Sequence, residues 1–195
     1  TYIRSESQKL DIYKRIAGIE TFEEILDSLK DKTILVLDKC WDCWDKVYAL
    51  LKEKNMVDQT IFKFYLKDEE PMVWAKAHKD CIFIPMCGDP DMFPKLLELR
   101  EHAGLPAVEI LPHAEDEPIF SDETFRWLEE HHIKVWCNSL SLARRLVYGA
   151  GYDDLKSLRY GGDKGWGVLI DKGVQILQTD WPHEVACYLK EKKMR

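Results

Sequence analysis

Short apolar runs rich in Ile, Val and Phe alternate with helical patterns along most of the sequence, and this alternation limits the fold more than any single motif. Thr21-Phe22-Glu23-Glu24 has the form of a capping box: Thr21 can accept from the first turn and Glu24 can reach back. Phe22, Ile25, Leu26 and Leu29 then make one apolar helix face. The strand TILVLDK over 33–39 follows, and after it a helix over about 41–54 with Trp44, Val47, Tyr48 and Leu51 on one side. The cycle repeats as strand 60–65 and helix 69–79, strand 81–86 and helix 90–102, strand 107–111 and helix 122–131, and strand 133–139 and helix 141–148. A Gly-rich loop, a short helix over 166–172, strand 174–180 and a helix from Pro182 complete it.

Parallel neighbours cannot be joined by tight hairpins, so six strand and helix pairs in succession predict an α/β fold with a parallel sheet and helical crossovers. Two architectures fit: a doubly wound open sheet, or a TIM (β/α)8-type barrel of which about six strand-helix units are visible. No GxGxxG follows a first strand and no GxxxxGK[ST] occurs, which favours the barrel. A length of 195 residues makes one domain over 1–195 the expectation.

The formal charge of -7 argues against nucleic acid as a partner, because displacing counterions from phosphates needs a positive surface. The longest apolar runs fall well short of the ~20 residues that span a bilayer, so a soluble chain is expected, with its compartment open. Six cysteines at this length do not make a disulfide scaffold. Cys40 and Cys43 have zinc-knuckle spacing, but no second CxxC or HxxxH complements them.

In either architecture the functional edge is the carboxyl end of the strands. Polar residues collect there: Asp38, Lys39, Lys63, Glu109, Asn138 and Asp180, with His113 just after its strand. Glu109 lies between Val108 and Ile110, a costly place for a carboxylate unless it is paired or meets a ligand. Trp136 could wall a substrate or fill core. Asn138 and Asp180 could orient neighbours, and Asp180 could equally cap the last helix. Of the six histidines, only His113 sits where chemistry could use it.

TFEEIL, LVLDK, VEIL, KVWCNSL, YGAGYDD and GWGVLIDKGVQILQTDWPHEVACYL together resemble the later part of the glycerophosphodiester phosphodiesterase family, over about Ile19 to Lys190. The Gly-led strand closing in Thr-Asp-x-Pro, soon after Val-Trp-x-Asn, carries most of the likeness. The resemblance implies a TIM barrel that uses a divalent cation, Ca2+ or Mg2+, to hydrolyse a small-molecule glycerophosphodiester to an alcohol and glycerol phosphate. It makes 1–195 a single barrel domain lacking its first two strands, with the His-Arg-Gly and Glu-x-Asp motifs outside the sequence. Only the family's third metal-binding carboxylate maps here, on Asp38.

Lys63 and Lys39 are then the candidates to neutralise charge on a phosphoryl oxygen. Many family members read Glu-x-Lys, whereas Asp38 and Lys39 are adjacent and should face opposite ways, which favours Lys63. Glu109, Trp136, Asn138 and Asp180 become expected substrate contacts, and the Gly-rich segment a rim loop with Asp153 and Asp154 at the mouth. A barrel short of two strands exposes two parallel edges, which invites self-association. The alternative reading is a non-catalytic remnant that binds a phosphorylated small molecule or a partner protein.

Overall fold

The computed structural model describes Gly18, 20–141 and 148–193, so the helix expected over 141–148 lies almost wholly outside the described residues. Helix α1 (Phe22–Leu29) begins with the expected capping box: Glu24 N donates to Thr21 Oγ1, and Thr21 N donates to Glu24 Oε2. Strand β1 (Leu35–Leu37) leads through a 3-10 turn at Trp41–Cys43 into α2 (Trp44–Lys54). That helix stops on Asn55, whose φ of 54° is left-handed backbone that asparagine tolerates better than most side chains.

The remaining elements are β2 (Thr60–Phe62), α3 (Glu69–Ala77), β3 (Ile82–Phe83), β4 (Met86–Cys87), α4 (Pro94–Arg100), β5 (Ala107–Ile110), α5 (Asp122–Glu130) and β6 (Lys134–Asn138). They are followed by α6 (Asp154–Tyr160), α7 (Trp166–Lys172), β7 (Ile176–Gln178) and α8 (Pro182–Glu191). The run expected as one strand over 81–86 is divided in two because Pro85 has no N–H to give to the ladder. Pairing resumes on either side: Ile84 N donates to Phe62 O, Met86 N to Phe64 O, and the Pro85 carbonyl accepts from Glu109 N.

The two ladders, β1-β2-β3 and β4-β5-β6-β7, are joined by a parallel bridge between Tyr65 and Met86. Every strand pair is parallel. Strand order follows chain order without the reversal that creates the switch point of a doubly wound sheet. Among the described residues β1 and β7 each pair on one side only, so the sheet is open. It is also curled, because Lys63 beyond β2 brings its Nζ to 3.4 Å from Gln178 Oε1 in β7.

The period-2 alternation of the strands assigns the two faces. Toward the helices, Phe62, Phe64, Phe83, Val108, Ile110, Val135 and Cys137 pack with Leu26, Trp44, Val47 and Leu51 in one core. Trp44 meets Phe62 and Phe64 edge-on at 5.5 and 5.7 Å between ring centres, the arrangement the ring quadrupoles favour. On the concave side a smaller cluster joins Ile84, Ala107 and Trp136 to Ile61 and Ile176. All six cysteines are free. Burial pushes Cys40 and Cys87 up to about 11, and Cys81 and Cys137 up to about 12, so these thiols stay protonated at neutral pH and pack as small hydrophobes.

Candidate active site

Above the concave apolar cluster, the same alternation points Lys63, Glu109, Trp136, Asn138 and Gln178 inward. Glu109 is paired in register with Trp136, and Asn138 with Gln178, so β5, β6 and β7 bring these side chains to one level near their carboxyl ends. Lys63 Nζ forms an ion pair with Glu109 Oε2. Lys63 is 2% exposed and Glu109 1%, so neither charge has bulk water to fall back on. The ammonium also stands 5.0 Å from the Trp136 ring centre, within cation–π range. Gln178 Oε1 accepts from Trp136 Nε1 at 3.3 Å and from Lys63 Nζ at 3.4 Å, which ties the lysine to the indole through one amide oxygen.

Beyond the Lys63 ammonium, Glu109 Oε2 has no hydrogen-bond partner among the described residues. Burial pushes the Glu109 carboxyl above its usual range; the Lys63 charge opposes this, the Asp38 charge adds to it, and the Asn138 side chain opposes it. Asn138 is fixed in turn, its Oδ1 accepting from Leu140 N at 2.8 Å.

Asp38 follows β1, is exposed, and takes no hydrogen bond or ion pair from the described residues. Its charge nevertheless reaches Glu109 and Tyr65. The cluster thus sets one ammonium against two carboxylates. Lys39 does not join it: the residue is exposed, with φ 56° in the left-handed region that ends the strand. Asp180 is exposed, and its side chain neither joins the cluster nor caps α8, where Trp181 holds the cap position without a side-chain bond. His113 lies beyond β5 with its ring 5.7 Å from that of Tyr148, and Trp41 and Tyr65 meet at 5.9 Å, so aromatic rings flank the strand exits.

The Gly-rich segment is not a simple rim loop, because it contains α6, with Asp153 as its N-cap accepting from Lys156 N at 2.7 Å. Asp154 is not at a mouth but fully buried. It accepts from Ser139 Oγ at 2.7 Å, Trp166 Nε1 at 2.7 Å, Thr179 Oγ1 at 2.8 Å and Asp180 N at 3.0 Å. One carboxylate therefore holds together the exits of β6 and β7 and the start of α7. The readable signal was Asp-Asp just before the helical pattern LKSL, an N-cap followed by a first-turn acid. Gln178 carried no such signal, since its role depends on the curl of the sheet.

The cation implied by the family resemblance can be judged against these donors. Glu109, in ion-pair contact with Lys63, and the exposed carboxylate of Asp38, whose charge reaches it, offer two carboxylates. Among the described residues no group of three His, Cys, Asp or Glu converges. One or two carboxylates completed by water and phosphate is the habit of Mg2+, whereas Ca2+ takes six to eight oxygens at about 2.4 Å. The residues present fit Mg2+ better.

A model of a family described as a domain of unknown function matches residues 85–189, over half of the chain. No curated protein matches. Among solved structures, a glycerophosphoryl diester phosphodiesterase from Parabacteroides distasonis ATCC 8503 is similar, with a TM-score of 0.67 and 17% identity over 89% of this chain. The matched region is 56% of that protein, so the chain spans little more than half its length. At this identity the likeness is one of fold: parallel α/β, as in that enzyme. No helix among the described residues is long and apolar enough to cross a membrane.

Proposed function

The chain belongs to the DUF4996 family, a domain of unknown function, and we propose from the site itself that it forms part of a TIM-barrel hydrolase of glycerophosphodiesters. The observation that carries this reading is the buried Lys63–Glu109 pair with Asp38 open beside it, brought together from the exits of β1 and β2 and from β5 of one parallel sheet. Carboxylates gathered on that edge of a parallel sheet are placed for chemistry rather than for stability, since apolar residues would hold the sheet together more cheaply.

Charge decides how a phosphodiester could be received. With Lys63 already matched by Glu109, the extra carboxylate of Asp38 would repel an anionic substrate. Asp38 and Glu109 would therefore hold a divalent cation, Mg2+ on the donor count, which supplies charge neutralisation to a phosphoryl oxygen when bound. Lys63 holds Glu109 in place and opposes the upward push of burial on its carboxyl. Trp136, fixed by Gln178, gives a rigid apolar wall below the pair, against which the alcohol portion would lie. Asn138 fixes the other side of Glu109.

A second reading, a binding pocket for a phosphorylated small molecule without turnover, is favoured by the lack of a third convergent ligand among the described residues. The full-length protein incubated with glycerophosphocholine and Mg2+ separates the two. Release of glycerol phosphate that is abolished by a chelator supports the hydrolase. Saturable binding of glycerol phosphate with no release of alcohol supports the pocket, and absence of release by the full-length protein overturns the hydrolase reading.

A further inference from the structure

Four of the most exposed large apolar side chains belong to two neighbouring segments: Leu155 at 60%, Leu158 at 40% and Tyr160 at 65% on α6, and Trp181 at 42% at the start of α8. Asp154 is what makes them neighbours. It immediately precedes Leu155, and its Oδ2 accepts the amide of Asp180, the residue before Trp181. Its amide donates to Ser139 O at 2.7 Å, so the patch stands at the carboxyl end of the sheet, on the same edge as the candidate site.

The charges on α6 are one-sided. Asp154 is buried, and the charged groups left at the surface of the helix are Lys156 and Arg159. Lys156 lies 4.2 Å from the Tyr152 ring centre and Arg159 6.0 Å from that of Tyr160, so both cations lie over aromatic rings beside the exposed leucines. Asp180, exposed beside Trp181, is the acidic group at the edge of the patch, and two cations set among exposed apolar and aromatic side chains run against the net charge of -7 of the whole molecule. Leucine to enter the acyl boundary, tyrosine and tryptophan for the headgroup level and cations for anionic headgroups match a lipid surface.

We propose that Leu155, Leu158, Tyr160 and Trp181, with Lys156 and Arg159, form a docking surface for an anionic lipid bilayer. The docking would bring the strand-end site to a membrane face. The proposal shares its edge of the fold with the hydrolase reading but does not depend on it, because docking is measured without turnover.

The test is co-sedimentation of the full-length protein with vesicles of phosphatidylcholine alone and of phosphatidylcholine mixed with phosphatidylserine. Binding should require phosphatidylserine and weaken with salt. Lys156→Glu with Arg159→Glu should reduce it at least about 20-fold, since each cation near an anionic surface is worth about fivefold in partitioning. Leu155→Ser with Leu158→Ser should reduce it similarly, while Val73→Ser, at an exposed valine on α3, should leave it unchanged. All these positions are openly exposed except Lys156, which is half-buried, so circular dichroism should show every variant folded. Equal binding by the variants, or no sedimentation with anionic vesicles, overturns the proposal. So does a dimer in solution that Leu155→Ser with Leu158→Ser dissociates, which would give the patch to a second copy of the chain. Soluble glycerophosphocholine turnover, expected to be unchanged in the variants, reports on the hydrolase reading separately.

Discussion

Lys63 and Glu109 form an ion pair across the concave face of the sheet, from the exit of β2 to the middle of β5, with 2% and 1% of their surfaces exposed. Neither charge would be tolerable there alone, and each is the reason the other can remain.

Breaking the pair from one side should therefore be expensive. Lys63→Met is expected to cost about 3–5 kcal/mol, because it leaves a buried carboxylate uncompensated. Lys63→Met with Glu109→Leu should recover most of that loss, since a well-packed apolar pair of similar volume does not have to be desolvated. Urea unfolding of the two single variants and the double variant closes the cycle. A double variant no more stable than Lys63→Met would mean that the pair is not what holds this region together.

The same site predicts a pH dependence with a definite sign. Burial raises the Glu109 carboxyl above its usual value of 4.5, so the folded chain keeps that proton to higher pH than the unfolded chain does. Over the window from 4.5 up to the raised value the folded state binds more protons, and this group's contribution to stability falls as pH rises. Glu109→Gln should remove that slope. Thermal melts of both proteins across this window measure it, and a slope that survives in Glu109→Gln must come from another group.

Much of the fold was legible because period-2 strands and capped helices leave local signals. The capping box at Thr21, the six strand runs and the inward direction of Lys63 and Glu109 all follow from neighbours in sequence. The break at Pro85 was legible in principle, since proline cannot serve in the middle of a ladder. Gln178 was not, because nothing local tells a glutamine in a late strand that a lysine from β2 will lean across a curled sheet to meet it. Asp154 was misplaced for the same reason: its four donors come from just beyond β6, just beyond β7 and from α7, and only their convergence shows that the carboxylate is interior.

Asp38 should separate function from stability. It is exposed and holds no partner among the described residues, so Asp38→Asn is expected to change stability by less than about 0.5 kcal/mol. If it holds the cation, the same change should lower glycerophosphocholine turnover by the full-length protein at least about 10-fold and raise the Mg2+ concentration needed. Wild-type turnover with an unshifted Mg2+ dependence would remove Asp38 from the site.

Asp154 should behave in the opposite way. Asp154→Asn keeps the volume but turns one acceptor oxygen into a donor facing groups that themselves donate, so a loss of about 2–4 kcal/mol is expected. Because Trp166 Nε1 bonds to Asp154 Oδ1, the variant should also change the near-ultraviolet circular dichroism of the tryptophans. An unperturbed spectrum at wild-type stability would mean that this network does not fix the exits of β6 and β7.

Gly149 tests whether the strand exits set the geometry of the candidate site. Its φ is 62°, and a Cβ added there would lie 2.8 Å from the carbonyl oxygen of Asn138, which is backbone and cannot swing aside. Gly149→Ala must then move either the turn at 149–151 or the end of β6, at a cost of about 2 kcal/mol from left-handed strain and the clash together. If β6 yields, the Asn138 side chain moves away from Glu109 and one of the influences that oppose its upward shift is lost. The downward slope of stability with pH should then extend to higher pH than in the wild type, alongside a fall in Tm of about 5 °C. A lower Tm with the wild-type pH profile would show that the turn absorbs the strain and that Asn138 is held by Leu140 alone.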